Sequence, residues 1–270
     1  MVNMELSEIL NKKVSFQETA WAPISNEITV IDVLNEIKTG KYLNQINTLR
    51  EILQNGDQEL YSIRKTQLPC ITFCASFINK RTKDSLKTYN YIVVLDIDKL
   101  TEKEIIKVKN ILTDDKFVFS FWESPSKKGI KGLVSLKYDV ELSNETINDY
   151  HKYAFQQLRE YFSRTHQIEL DESGSDTTRL CFVSYDADLM IKSNTIQFQI
   201  EEMKEVPRNS QEIIRKTQHI NGFGRRNILY NPKGRNDPRN RKCIQSIIKF
   251  LEKRNLSITN SYEECPLCLY

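Results

Sequence analysis

Tyr91-Ile-Val-Val-Leu-Asp-Ile-Asp98 is a run of β-branched and aromatic residues, the composition of a buried strand. Side chains two apart on a strand share a face, so Asp96 and Asp98 leave it side by side with apolar neighbours on both flanks. Two like charges so placed repel, and burying them unpaired is costly or forces one to protonate. A divalent cation resolves the conflict with positive charge for hard oxygen ligands. The competing reading is a strand running out into a solvated acidic turn, since Lys99 follows Asp98.

Working outward, 270 residues suffice for one large domain and a small one. An apolar content of 39% can fill a core, and 8 Gly and 7 Pro exclude collagenous or low-complexity classes. The first fifteen residues carry Glu5, Glu8, Lys12 and Lys13 without an apolar run, which is not the pattern of a secretory signal. With no membrane-length apolar window either, a cytoplasmic, non-membrane protein is expected. Cys70, Cys74, Cys181, Cys243, Cys265 and Cys268 mostly sit in apolar runs, as buried thiols in a reducing compartment do. The net charge of +3 is uneven. Residues 204–254 carry 14 Lys or Arg against 4 Asp or Glu, a balance of +10, leaving −7 for the rest. A basic segment beside a carboxylate-bearing body points to a polyanionic partner, or to a solvated basic linker.

Helical spacing of Ile31, Val33, Leu34, Ile37, Ile46, Leu49 and Ile52 predicts helix over residues 27–53, broken at Gly40. Leu68-Pro-Cys-Ile-Thr-Phe-Cys-Ala-Ser-Phe77 predicts one strand, and residues 79–87 a basic loop. Thr101 and Glu104 form a capping box opening a helix. Strands follow over residues 117–122 and 132–136, then a helix capped by Asn144, then strands over 179–185 and 195–200. The pattern is that of an α+β fold with helices against a sheet. Residues 1–205 form the expected core, 206–237 a basic linker, and 238–270 a helical accessory segment centred on a helix over 239–253.

Two further constellations carry chemistry. Ser124-Pro-Ser-Lys-Lys-Gly-Ile-Lys131 gathers hydroxyls from Ser124 and Ser126, cations from Lys127, Lys128 and Lys131, and close backbone approach at Gly129. It reads as a phosphate cradle or as a basic hairpin turn. Ile168-Glu-Leu-Asp-Glu-Ser-Gly-Ser-Asp-Thr-Thr-Arg179 adds Asp171, Asp176 and a planar guanidinium, and reads equally as an acidic loop pairing with its own arginine. Cys265-Pro-Leu-Cys268 supplies half a zinc site, with only Cys243 and His219 nearby at non-standard spacing, so zinc is not expected. Trp122, beside the basic loop, is a core aromatic or a base-stacking one.

In this order the three constellations resemble the archaeo-eukaryotic primase superfamily. The branch they resemble is that of primase-polymerases with virulence-protein-E amino-terminal-like domains. The likeness runs over about residues 14–200 and extends to Arg179-Leu-Cys-Phe-Val-Ser-Tyr-Asp186. It implies a primase catalytic core with an RRM-like sheet and two Mg²⁺ or Mn²⁺ ions. On it Asp96, Asp98 and Asp171 would be the catalytic metal ligands, Asp171 preferred over Asp176 because it ends the apolar Ile168-x-Leu170 alternation. Ser124, Ser126, Lys128, Lys131 and Arg179 would bind the incoming nucleotide. Many members carry His where this chain has Lys131 and Gly near Lys127, and Lys131 still neutralises phosphate.

The chemistry implied is two-metal transfer of a nucleotide from a dNTP or NTP to a 3′-OH on a single-stranded DNA template, with no side-chain nucleophile. His151, His166 and His219 lie outside the three motifs. Implied partners are template, primer and nucleotide, with a helicase or other replication or defence-system proteins. The rivals are a catalytically inactive nucleic-acid-binding module of the same fold and a metal-dependent phosphodiesterase or nuclease. Sugar preference, oligomeric state and a phage, plasmid, integrated-element or defence setting are not written in the motifs.

Overall fold

The computed structural model describes residues 4–201, which alternate short helices with mostly antiparallel strands in an α+β fold. In chain order these are α1 (Met4–Leu10), β1 (Lys13–Gln17), β2 (Asn26–Thr29), α2 (Val30–Thr39), α3 (Leu43–Gln54) and α4 (Gln58–Lys65). Next come β3 (Cys70–Thr72), β4 (Ala75–Phe77), β5 (Leu86–Tyr89), β6 (Ile92–Asp98), α5 (Glu102–Asp114), β7 (Val118–Glu123) and β8 (Gly129–Lys137). The last are α6 (Ile147–His166), β9 (Cys181–Phe182), β10 (Met190–Ile191) and β11 (Phe198–Gln199).

Alternation along β6 decides the layering. Ile92 and Val94 enter one buried cluster with Phe119, Trp122 and Leu133, β1 and β3, and helices α2 and α3. Val93, Leu95 and Ile97 enter the other, against Ile105, Val108 and Leu112 of α5 and Ala154, Phe155, Leu158 and Phe162 of α6. The central sheet is therefore apolar on both faces. Each fully buried aliphatic side chain in it contributes about 2 kcal/mol. β8 is the axis: β6 and β7 both pair with it antiparallel over the same residues and so flank it. β10 continues beyond β7, and β11 runs parallel to the far end of β8. A second sheet, ordered β2-β1-β3-β9, forms part of the first layer, and β4 pairs with β5 as a separate hairpin.

Local chemistry accounts for the helix ends. Thr101 and Glu104 satisfy each other's backbone N–H groups at the start of α5. Thr29 caps α2 by accepting from the Asp32 N–H, and Gly40 ends it at φ 86°, a left-handed conformation that favours glycine. Asp57 caps α4 by accepting from the Leu60 N–H at 2.9 Å.

Several elements depart from the sequence pattern. Residues 27–29, expected as helix, belong to strand β2 because they pair with β1. The single strand expected over 68–77 is two, since the chain leaves one sheet after Thr72 and joins β5 from Ala75. The expected basic loop over 79–87 ends in β5. α6 begins at Ile147 with no side-chain cap, rather than at Asn144. Of the strand expected over 179–185 only Cys181–Phe182 pairs, because β3, its partner, is three residues long. The expected linker, the helix over 239–253, His219 and the Cys243, Cys265 and Cys268 thiols lie outside the described residues. Cys70, Cys74 and Cys181 are buried free thiols, and burial pushes them up to about 12, 12 and 11 respectively. No helix among the described residues is long and apolar enough to cross a membrane.

Candidate active site

The site forms where the first apolar layer gives out along β6. Asp96 and Asp98 continue the face of Ile92 and Val94 at the end of the strand. Antiparallel register puts Lys131 of β8 directly opposite Asp96, and Gly129 opposite Asp98. Asp96 is 3% exposed. The Lys131 ammonium lies in ion-pair contact with Asp96 Oδ1, yet that oxygen receives no well-directed hydrogen bond. Arg179 Nη2 donates to Asp96 Oδ2 at 3.2 Å. Two cations thus converge on one buried carboxylate, which is how a charge survives at that depth. Asp98 stands at the exposed end of the strand. Burial pushes its carboxyl up, Lys131 opposes this, and Asp96 beside it reinforces it.

Gly129 is where this geometry demands glycine. A Cβ there would lie 2.6 Å from the Ile97 carbonyl and 2.7 Å from Asp98 Oδ1. Its neighbours fold the basic loop tightly. The Ser124 N–H donates to the Gly129 carbonyl at 2.8 Å, the two serine hydroxyls lie 3.1 Å apart, and the Lys128 N–H donates to Ser126 Oγ at 3.2 Å. Lys127 turns the chain at φ 57°.

Asp171 reaches the site through backbone rather than side chain. Among the described residues β6 pairs with β8 on one side alone, and the turn over residues 171–175 covers its other edge. There the Asp171 N–H donates to the Asp96 carbonyl at 3.0 Å. Gly174 packs so closely that a Cβ would meet Phe155 at 2.4 Å and the Val94 carbonyl at 3.0 Å. The Asp171 carboxylate caps the turn, accepting from the Ser173 N–H at 2.8 Å and from its hydroxyl. Those bonds hold it below the ordinary carboxylate range, with Arg179 and Lys131 adding to the effect. Asp176 instead accepts from the Thr178 N–H at 3.0 Å, and its backbone carbonyl accepts from the Arg179 N–H. Asp171, not Asp176, is thus the one tied to the strand that bears Asp96.

Among the described residues no three carboxylate, imidazole or thiol groups form a closed metal cage. The donors that would hold a divalent ion are the Asp96 and Asp98 carboxylates. They fit by chemistry, being hard oxygens, and by the buried Asp96 Oδ1 that lacks a directed donor. Asp171 stands beside them with its carboxylate engaged on Ser173.

Three contributors escaped the sequence pattern, all from α3 and α4. Lys65, at the end of α4, lies over the Phe182 ring at 5.6 Å. Burial pushes its ammonium down, as does Lys131, while Asp98 and Asp96 oppose the shift. Tyr61, one turn earlier, is buried in the first apolar cluster, where burial pushes its hydroxyl up and Ser126 opposes the shift. Arg50 of α3 donates to the Pro125 carbonyl at 3.0 Å and the Tyr185 carbonyl at 2.9 Å, tying the basic loop to the chain after β9. That same chain is pinned by Asp186, which accepts from the Glu123 N–H at 2.8 Å, and by Ser184, whose hydroxyl donates to the Glu123 carbonyl at 2.7 Å. Beside the loop, a cleft of about 680 Å³ opens between α3 and residues 100–102 and 126–128.

The remaining residues with functional potential sit elsewhere. Trp122 is fully buried against Phe73, ring centroids 5.8 Å apart, and so is core. His151 is fully buried between the Tyr89 hydroxyl at 2.9 Å and the Gly174 carbonyl at 3.3 Å. His166 pairs with the buried Asp115 at 2.9 Å.

Residues 64–190 match the model of a protein family described as BT4734-like, N-terminal domain. That segment holds Asp96, Asp98, Asp171, Ser124, Ser126, Lys128, Lys131, Arg179 and Lys65. No curated protein and no solved structure matches the chain.

Proposed function

We propose that this chain is the catalytic core of a DNA primase-polymerase, joining nucleotides from dNTPs or NTPs to a 3′-OH on a single-stranded template. The observation that carries the reading is the meeting, at β6 and β8, of an Asp-x-Asp pair, its first carboxylate buried, with Lys131 and Arg179 beside a glycine-bounded serine and lysine loop. The family likeness over residues 64–190 supports it, since that family groups with virulence-protein-E-like primase-polymerases.

In this mechanism the carboxylates of Asp96 and Asp98, with Asp171 alongside, would hold divalent cations. Two such ions would supply charge to activate the attacking hydroxyl and stabilise the departing pyrophosphate. The Ser124 and Ser126 hydroxyls offer hydrogen bonds to phosphate oxygens, and Lys128 adds its charge. Once the carboxylates are otherwise compensated, Lys131 and Arg179 are free to take up charge on the triphosphate. Arg50 keeps the loop in place through its bond to the Pro125 carbonyl.

The test is primer synthesis and extension on single-stranded DNA with Mn²⁺ or Mg²⁺, offering dNTPs and NTPs separately, beside the Asp96→Ala/Asp98→Ala protein. Products that vanish in the double variant are expected. Absence of product from the wild-type chain under every condition, with no nucleotide bound, would overturn the reading.

A further inference from the structure

Trp21 is 85% exposed, the most exposed of the large hydrophobic side chains among the described residues. It stands in the turn between β1 and β2, and that turn is anchored on two sides. The Ala20 N–H donates to the Thr66 carbonyl at 3.1 Å, next to Lys65, and the Ile24 N–H donates to the Asn79 carbonyl at 3.0 Å. Gln17 bridges inward, bonding the Ala22 carbonyl through Nε2 and accepting from Arg81 Nε at 3.0 Å. Arg81 in turn donates to the Thr178 carbonyl at 2.6 Å, one residue from Arg179 on Asp96. A continuous hydrogen-bonded path therefore runs from the Trp21 turn to the carboxylate site. Exposed Ile78 and Lys80 lie along the same edge, with Glu18 the carboxylate in the turn.

An exposed indole on a tethered turn, with Lys65 beside one anchor, Lys80 and Arg81 beside the other and Arg179 at the site, has the composition that holds a single strand. The cations track the backbone and the ring stacks on a base whatever its identity. We propose that the Trp21 turn is a base-stacking platform for single-stranded DNA on its way to Asp96. The inference rests on the template-using reading above, and it adds the surface along which the strand approaches.

The chain has two tryptophans and the other, Trp122, is fully buried, so the solvent-exposed emission belongs to Trp21. Fluorescein-labelled oligodeoxythymidine is titrated into the full chain without metal, following anisotropy. An unlabelled strand of the same length is titrated in parallel, following tryptophan emission. Anisotropy should show binding while the exposed-tryptophan emission is quenched with the same midpoint. Trp21→Ala should bind about tenfold more weakly, and Trp21→Phe should bind more tightly than Trp21→Ala but show no quenching. Both variants should keep the wild-type circular dichroism, since the side chain is exposed. Binding with unchanged emission, or equal affinity of Trp21→Ala and wild type, overturns the platform and leaves the primase reading standing. Failure of the wild-type chain to bind any single strand overturns both.

Discussion

At Gly129 a single hydrogen atom decides whether the site exists. A methyl group would press on the Ile97 carbonyl, which is held by the strand register, and on Asp98 Oδ1, whose carboxylate would have to swing out of its place in the site. Gly129→Ala is expected to cost about 1–3 kcal/mol and to abolish metal-dependent transfer. Gly132→Ala is the control on the same strand, since its Cβ would meet the Leu95 side chain at 3.3 Å. It should cost less and leave transfer measurable; urea unfolding beside primer extension separates the two, and equal effects would refute the argument. Lys65 offers a second residue-scale test, because its ammonium shares the site with Lys131 and Arg179 without belonging to any of the three motifs. Lys65→Ala should weaken nucleoside triphosphate binding about tenfold, with Lys65→Arg recovering most of it. Unchanged binding in Lys65→Ala would remove it from the site.

Among the elements, α6 holds the Asp171 turn against β6 through a histidine that stays neutral. His151 is fully buried, and burial pushes its imidazole down to about 4. Between the ordinary value of 6.5 and 4 the unfolded chain takes up a proton that the folded one refuses. The stability from the neutral ring is therefore complete above pH 6.5 and lost as pH falls toward 4, by about 3 kcal/mol. Urea titrations across that range should show a steeper loss for the wild type than for His151→Gln; parallel curves would show that the ring is not held neutral. This tether was not legible in the sequence, since His151 looked like any polar residue on an amphipathic helix. What was legible is local: the capping box of α5, the β6 run and the basic loop after β7 are each written in adjacent residues. α4 is absent from the sequence reading: Asp57 stands ahead of it and Arg64 and Lys65 in its last turn, but eight residues give weak periodicity. That its final lysine comes within electrostatic reach of Asp98 and Asp96 is a tertiary fact, as is the split of residues 68–77 between two pairings, which only partner strands decide.

Over the whole described fold, the site sits on a strand that belongs to both cores, so its occupancy should be felt globally. β6 sends Ile92 and Val94 into one apolar cluster and Val93, Leu95 and Ile97 into the other, and its edge is closed by the Asp171 turn. Around it Asp96, Asp98 and Asp171 face Lys131, Arg179 and Lys65, three negative charges against three positive. Two divalent cations add four positive charges, and a nucleoside triphosphate carries about four negative, so the pair restores neutrality only when both arrive. Either alone leaves excess charge in a half-buried site. Thermal unfolding should therefore show a small rise with Mn²⁺ alone, little with triphosphate alone, and a rise larger than their sum with both. At a hundredfold excess over the dissociation constant the linkage amounts to about 2.7 kcal/mol. For a chain of this size that corresponds to about 5–10 °C. Asp96→Asn/Asp98→Asn protein should lose the synergy, whereas Trp21→Ala, remote from the carboxylates, should retain it. Additive shifts in the wild type would show that metal and nucleotide do not share this site.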